Sequence, residues 1–142
     1  MPAAVRVQDF GWRHAGRKNS TLEGLTLSID QGERVLLLGE SGSGKSTLLA
    51  AIAGILGDDE GEQAGQVLID GHSSRSVRGM VGLVLQDPDS QVICSRVGDD
   101  VVFGCENLGV PREEMWHRAR RALDMVGLPL PFDRPTDCLL YT

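Results

Sequence analysis

Eight consecutive residues, Gly39-Glu40-Ser41-Gly42-Ser43-Gly44-Lys45-Ser46, concentrate the chemistry of this chain. They fit the pattern G-x-x-x-x-G-K-[ST] of a phosphate-binding loop. A polyphosphate needs many donors in a small concave space. Gly42 and Gly44 let successive backbone N–H groups turn inward, because no Cβ obstructs the required φ/ψ. Lys45 adds a compact cation for the β- and γ-phosphates, and the Ser46 hydroxyl is placed to ligate Mg²⁺. The predicted binding set is Gly39, Glu40, Ser41, Gly42, Ser43, Gly44, Lys45, Ser46 and Thr47.

Such a loop works only between a strand and a helix. Residues 34–38 (RVLLL) form a short apolar run, as a buried parallel strand would. Residues 47–53 (TLLAAIA) are helix formers, so the phosphates would meet a helix N-terminus and its partial positive charge. A glycine-rich surface loop beside an ordinary helix would have no reason to place Lys and Ser directly after the last glycine.

Composition narrows the class. A chain of 142 residues is one domain or part of one, and 41% hydrophobic residues support a core. Net charge is −6 with 14 Lys+Arg, so there is no broad basic surface for nucleic acid. Cys94, Cys105 and Cys138 form no C-x-x-C pair; they read as small apolar fillers in a reducing compartment, not as a zinc site. No apolar run approaches the ~18–20 residues of a membrane span, and no signal-peptide core is present. Any membrane link is expected to run through a partner.

Along the chain, residues 5–10 and 22–29 read as strands around a polar turn at 13–19, and residues 30–33 as a turn. Residues 54–65 read as loop, 66–71 as a strand with a turn behind it, and 80–85 as a further apolar strand. Two helices are predicted. The first covers 97–108, weakened by Gly98 and Gly104. The second covers 111–126, with Pro111 at its first position, Glu113 and Glu114 toward the dipole, and Gly127 ending it. Met115, Ala119, Ala122, Leu123 and Val126 make its apolar face.

Together, the glycine loop and the later segment Val81-Gly82-Leu83-Val84-Leu85-Gln86-Asp87-Pro88-Asp89-Ser90-Gln91 resemble the nucleotide-binding subunit of ABC transporters. The likeness is strongest to the ATPases of energy-coupling-factor and cobalt-type importers, and it runs from about residue 5 to residue 135. Residues 101–109 (VVFGCENLG) look like the helical-subdomain segment of the same importers. The resemblance implies an α/β P-loop NTPase fold: a mixed β-sheet, an N-terminal antiparallel β-subdomain and the start of a helical subdomain, in an incomplete domain. Residues 1–136 would be the N-terminal part of the ATP-binding domain and residues 137–142 a divergent tail.

The resemblance also implies roles. ATP and Mg²⁺ would be the ligands, with Lys45 and Gln86 catalytic and Ser46 and Gln86 at the metal. The Gln86 amide would reach Mg²⁺ or the attacking water from a hinge between subdomains; capping a strand before an Asp-Pro turn is the plainer alternative. The adenine would stack on His14 in the turn after the first strand, or on Trp12 in another register, although Trp12 could equally pack under the sheet. Implied partners are a transmembrane importer subunit, meeting residues 86–108, and a second ATP-binding subunit. The chain would then be cytoplasmic and peripheral at the inner face of the membrane, coupling ATP binding and hydrolysis to uptake of a metal ion or vitamin.

Other patterns are weaker. Residues 83–87 and 67–70 both end an apolar run in Asp, as a Walker B strand does, but no Glu follows either. Asp99-Asp100 reads as a solvated helix start. Asp58-Asp59-Glu60-Gly61 matches a GTPase D-x-x-G without any N-K-x-D guanine reader. A P-loop small-molecule kinase would need a lid of arginines, for which only Arg118, Arg120 and Arg121 are available. Phe132-Asp133-Arg134-Pro135-Thr136 looks like the approach to an L-S-G-G-Q signature, yet neither that signature nor a Walker B Glu occurs in the 142 residues. Truncation or a frame change after residue 135, and a module that binds ATP without turnover, are therefore expected.

Overall fold

The computed structural model describes residues 4–87 and 89–137, and the chain divides into two compact units, residues 1–83 and 84–142. Cys138 and the rest of the predicted tail beyond residue 137 lie outside the described residues, as does Pro88.

The first unit is built on a four-stranded antiparallel sheet in the order β2-β1-β3-β4. Its strands are β1 (Val5–His14), β2 (Leu22–Ile29), β3 (Gly61–Ile69) and β4 (His72–Ser73). β1 lies between β2 and β3 and supplies the core. Strict alternation from Val7 would turn Phe10 outward. Instead the register shifts between Val7 and Phe10 toward β2, and between Gln8 and Gly11 toward β3. At this bulge Asp9 takes φ 46°, and its N–H donates to Thr26 Oγ1 at 3.0 Å. The inserted residue turns Phe10 and Trp12 back inward, where both are at most 1% exposed. They pack with Val7, Val67 and Leu56, and with Leu48 and Ala51 of helix α1 (Lys45–Ile52).

Two predicted strands are not formed. Residues 34–38 join no ladder and are exposed throughout, Leu36 at 80% and Leu38 at 79%. Residues 80–85 are likewise irregular chain without strand pairing, with Val84 90% exposed. A strand satisfies its backbone N–H and C=O groups only through a neighbour, and neither run has one among the described residues. Among the described residues the parallel part of the expected mixed sheet is therefore not assembled. Conversely, residues 61–65, expected as loop, extend β3 opposite residues 11–14.

The second unit carries a 3₁₀ turn (Asp89–Gln91) and helices α2 (Val97–Asn107) and α3 (Arg112–Met125). Val102, Met115 and Ala119 form its core, with Cys105, Trp116 and Phe132 packed around them. Pro111 is the residue before α3, not its first turn, and Gly127 at φ 73° follows its end. The predicted apolar face is only partly used: Met115, Ala119 and Leu123 are buried, whereas Ala122 and Val126 are exposed. Residues 132–136 return along the start of α2, where Gly98 N donates to the Phe132 carbonyl at 2.8 Å. A Cβ at Gly98 would lie 2.7 Å from Phe132 Cβ, so the glycine that weakens α2 by propensity is required by this crossing.

Candidate functional site

The glycine loop and α1 reproduce the geometry a phosphate needs. Gly42 and Gly44 take φ 82° and 93°, and α1 begins at Lys45 directly after the second of them. The Ser43 N–H donates to the Glu40 carbonyl at 3.2 Å, curling the loop back toward the helix. No side chain caps the N-terminus of α1 and no acidic residue lies in its first turn. Its first N–H groups thus keep their partial positive charge without a competing carboxylate. A Cβ at Gly39 would stand 2.6 Å from Ser43 Oγ, and one at Gly44 2.7 Å from Leu22 Cδ2. The cradle is therefore shaped by missing side chains, and a phosphate group suits it.

Lys45 closes the ring. Its Nζ donates to the Gly39 and Glu40 carbonyls at 2.7 and 2.6 Å and lies 3.5 Å from Ser43 Oγ. The ammonium has three donors, so the loop's own carbonyls hold it across the mouth. Ser46 and the flanking Glu40 and Ser41 are exposed, and Thr47 is half-buried. Ser46 is free of the core, as a hydroxyl that ligates Mg²⁺ must be.

The turn after β1 sits beside this loop. Leu22, at the start of β2, fills the space under Gly44. A cavity of about 420 Å³ is lined by Arg17, Lys18, Asn19, Ser20 and Thr21 of the turn together with Gly42 of the loop. Among the described residues neither Arg17 nor Lys18 takes part in an ion pair. By sequence this stretch is only a polar turn; its adjacent cations are the available signal. Leu22 offers none, because a packing partner of a glycine has no sequence signature.

His14 and Trp12 have different fates. Trp12 is 1% exposed and belongs to the core, with Gly61 backed against its ring. Its reading as an alternative adenine platform is corrected: burial leaves no free indole face for a base. His14, the last residue of β1, is half-buried and lines a cavity of about 280 Å³ with Arg17, Asp58, Asp59, Gly61 and Glu62. The Trp12 Nε1–H donates to His14 Nδ1 at 3.2 Å, with ring centroids 5.9 Å apart and planes at 85°.

Gln86 lies in the second unit as exposed chain outside any strand. The turn after it is held by Gln91, whose Nε2 donates to the Leu85 and Asp87 carbonyls at 3.3 and 3.4 Å. The weaker patterns have structural explanations. Asp70 accepts the Ala4 N–H at 2.7 Å beyond the end of β3, and Asp58 pairs with Arg75. Asp100 Oδ1 accepts the Ile93 and Cys94 N–H groups at 2.8 and 2.9 Å, fixing the entry to α2. Arg118 pairs with Glu114 one turn earlier, and Arg120 stacks 4.1 Å over the Phe132 ring, so neither belongs to a mobile lid. Burial, then the carboxylates of Asp100, Asp99 and Glu106, raise the Cys94 thiol above its ordinary range, which keeps it a poor nucleophile. Among the described residues no group of three or more His, Cys, Asp or Glu could hold a metal, and no helix is long and apolar enough to cross a membrane.

Comparisons with known proteins agree on one family. Residues 22–138 match the family model described as ABC transporter. The energy-coupling factor transporter ATP-binding protein EcfA1 of Lacticaseibacillus paracasei is 38% identical over 136 residues, spanning 94% of this chain and 49% of that protein. EcfA of Enterococcus faecium is 44% identical over 108 residues, 75% of this chain and 39% of that protein. The solved structure of cbiO1 from Clostridium perfringens, described as part of the ABC transporter complex cbiONQ, superposes with a TM-score of 0.71 at 30% identity. That match covers 97% of this chain and 56% of that one. The chain thus spans about half the length, or less, of the relatives it matches.

Proposed function

The chain belongs to the ABC transporter family, and from that premise we propose that residues 1–136 are the N-terminal part of the ATP-binding domain of an energy-coupling-factor-type importer. The observation that carries the reading is the loop itself: two glycines at positive φ, an uncapped helix start, and Lys45 across the mouth. Mg·ATP is the ligand. Its β- and γ-phosphates take the backbone N–H groups at the start of α1 and share the Lys45 ammonium with the Gly39 and Glu40 carbonyls. Ser46 supplies a hydroxyl to Mg²⁺, and His14 meets the base. Gln86 is assigned to Mg²⁺ or the attacking water on the family pattern. A transmembrane subunit and a second ATP-binding subunit complete the importer, whose cargo is a metal ion or vitamin, and the chain works from the inner face of the membrane. The names of the EcfA relatives and of cbiO1 support this assignment.

The test is a titration with Mg·ATP. Lys45→Ala should remove most of the affinity, because its charge faces the most negative part of the ligand. Ser46→Ala should weaken binding more with Mg²⁺ than without it. Superimposable curves for wild type and Lys45→Ala would end the phosphate-loop assignment.

A further inference from the structure

Trp12 is in the core, yet its one polar atom is not left to chance. An indole N–H can only donate. The nitrogen facing it at 3.2 Å, Nδ1 of His14, must therefore accept and carry no proton. A neutral imidazole with a bare Nδ1 holds its proton on Nε2. The two ring nitrogens point in divergent directions, so the Nε2–H is turned away from Trp12 and the core. We propose that Trp12 is a positioning residue, which fixes His14 as the Nε2–H tautomer and sets its ring plane, so that His14 presents a donor to the bound nucleotide.

Three features make the lock stiff. Trp12 is 1% exposed within the main hydrophobic cluster, so its indole cannot swing. Gly61 is pressed against it, since a Cβ there would come within 2.8 Å of the indole Cζ2. Its backbone is held on both sides, opposite Leu22 of β2 and Gln63 of β3. His14 is the contrasting partner, half-buried at the end of β1 and facing the cavity it shares with Arg17 and Asp59. A rigid donor thus orients a ring at the edge of the site, much as a carboxylate or carbonyl orients a metal-bound imidazole. The lock also explains why a tryptophan without surface access sits two residues before the proposed base contact. This inference rests on the reading that His14 meets the base.

Nitrogen-15 spectra of the neutral His14 ring in the 142-residue chain decide the tautomer directly. The expected result is a pyridine-type Nδ1 and a proton-bearing Nε2 in a single population. In Trp12→Phe, which keeps an aromatic body and removes the donor, both tautomers should appear. Mg·ATP affinity should then fall about threefold to tenfold, the scale of one hydrogen bond. In a His14→Phe background, where the ring still stacks but has no tautomer, Trp12→Phe should change the affinity no further. An Nδ1-protonated or mixed wild-type ring overturns the proposal, and so does an equal loss in the His14→Phe background, which would mark a packing effect. The wild-type spectrum distinguishes the tautomers even if Trp12→Phe does not fold. Unchanged affinity on His14→Ala would instead retire the base contact, and with it the proposed presentation to nucleotide, while the spectrum still tests the lock.

Discussion

At the residue scale the phosphate loop depends on what two glycines leave out. Gly44 combines φ 93° with the Leu22 side chain lying where a Cβ would go. Holding a residue with a side chain in the left-handed region costs roughly 1–2 kcal/mol before any clash is counted. Leu22 cannot retreat freely, because it pairs with Trp12 in the sheet. Gly44→Ala should therefore lower the midpoint of thermal unfolding and weaken Mg·ATP binding by at least about tenfold, the equivalent of 1.4 kcal/mol. Calorimetry of both quantities in one preparation is the check. A variant with unchanged affinity would mean that the loop adopts a different shape when it binds. The same residues show how far single positions can be read. Lys45 and Ser46 are legible from order alone, because the loop's chemistry is contained in eight adjacent residues. Trp12 is not, since its choice between surface and core depends on the bulge at Asp9.

Elements follow the same logic at longer range. The alternation that marks β1 holds from Val5 to Gln8 and breaks at Asp9, and Gly11 gives no signal to continue it; the structure extends the strand past both to His14. The bulge at Asp9 works only because β3 yields space opposite it. Gly65 takes φ 65°, and a Cβ there would stand 2.3 Å from the carbonyl oxygens of both Gln8 and Asp9. Those neighbours are backbone in the central strand and cannot move aside. Gly65→Ala should thus destabilise the first unit by more than the roughly 1–2 kcal/mol of the left-handed conformation alone. Denaturant unfolding followed by Trp fluorescence would register it. Loss of less than that would mean that the strands slip register to absorb the methyl. Residues 61–65 (GEQAG) resemble loop because propensity reads Gly as a breaker, while the pairing across β1 that overrides it is non-local. α2 and α3 are legible to within a residue or two, since their signal is local periodicity and a stop at Gly127. The unused part of the α3 face, Ala122 and Val126, shows the limit of periodicity: it marks apolar positions, not what covers them.

For the whole molecule, the family and the antiparallel subdomain are readable, while no parallel pairing is formed among the described residues. Residues 34–38 have every intrinsic feature of a buried strand and remain exposed, because a parallel strand exists only in company. Catalysis is a collective property in the same sense. Hydrolysis needs the phosphates held, the water oriented and the developing charge neutralised together. On the proposed reading, Lys45, the start of α1 and Ser46 would address the first requirement and, with Mg²⁺, part of the third. For the second, that reading offers Gln86, a neutral amide, among the described residues. The two apolar runs that end in Asp offer no glutamate after it, and Asp70 already accepts the Ala4 N–H. A positioned general base commonly contributes about 10²–10⁴-fold, so the 142-residue chain should bind Mg·ATP with a phosphate release rate close to the uncatalysed one. Steady-state release from purified chain, with Lys45→Ala as the contamination control, measures this. Release that tracks the control supports binding without turnover. Release well above it, rising with the square of protein concentration, would show that two copies of this chain assemble a catalytic group that neither Asp70 nor Asp87 supplies.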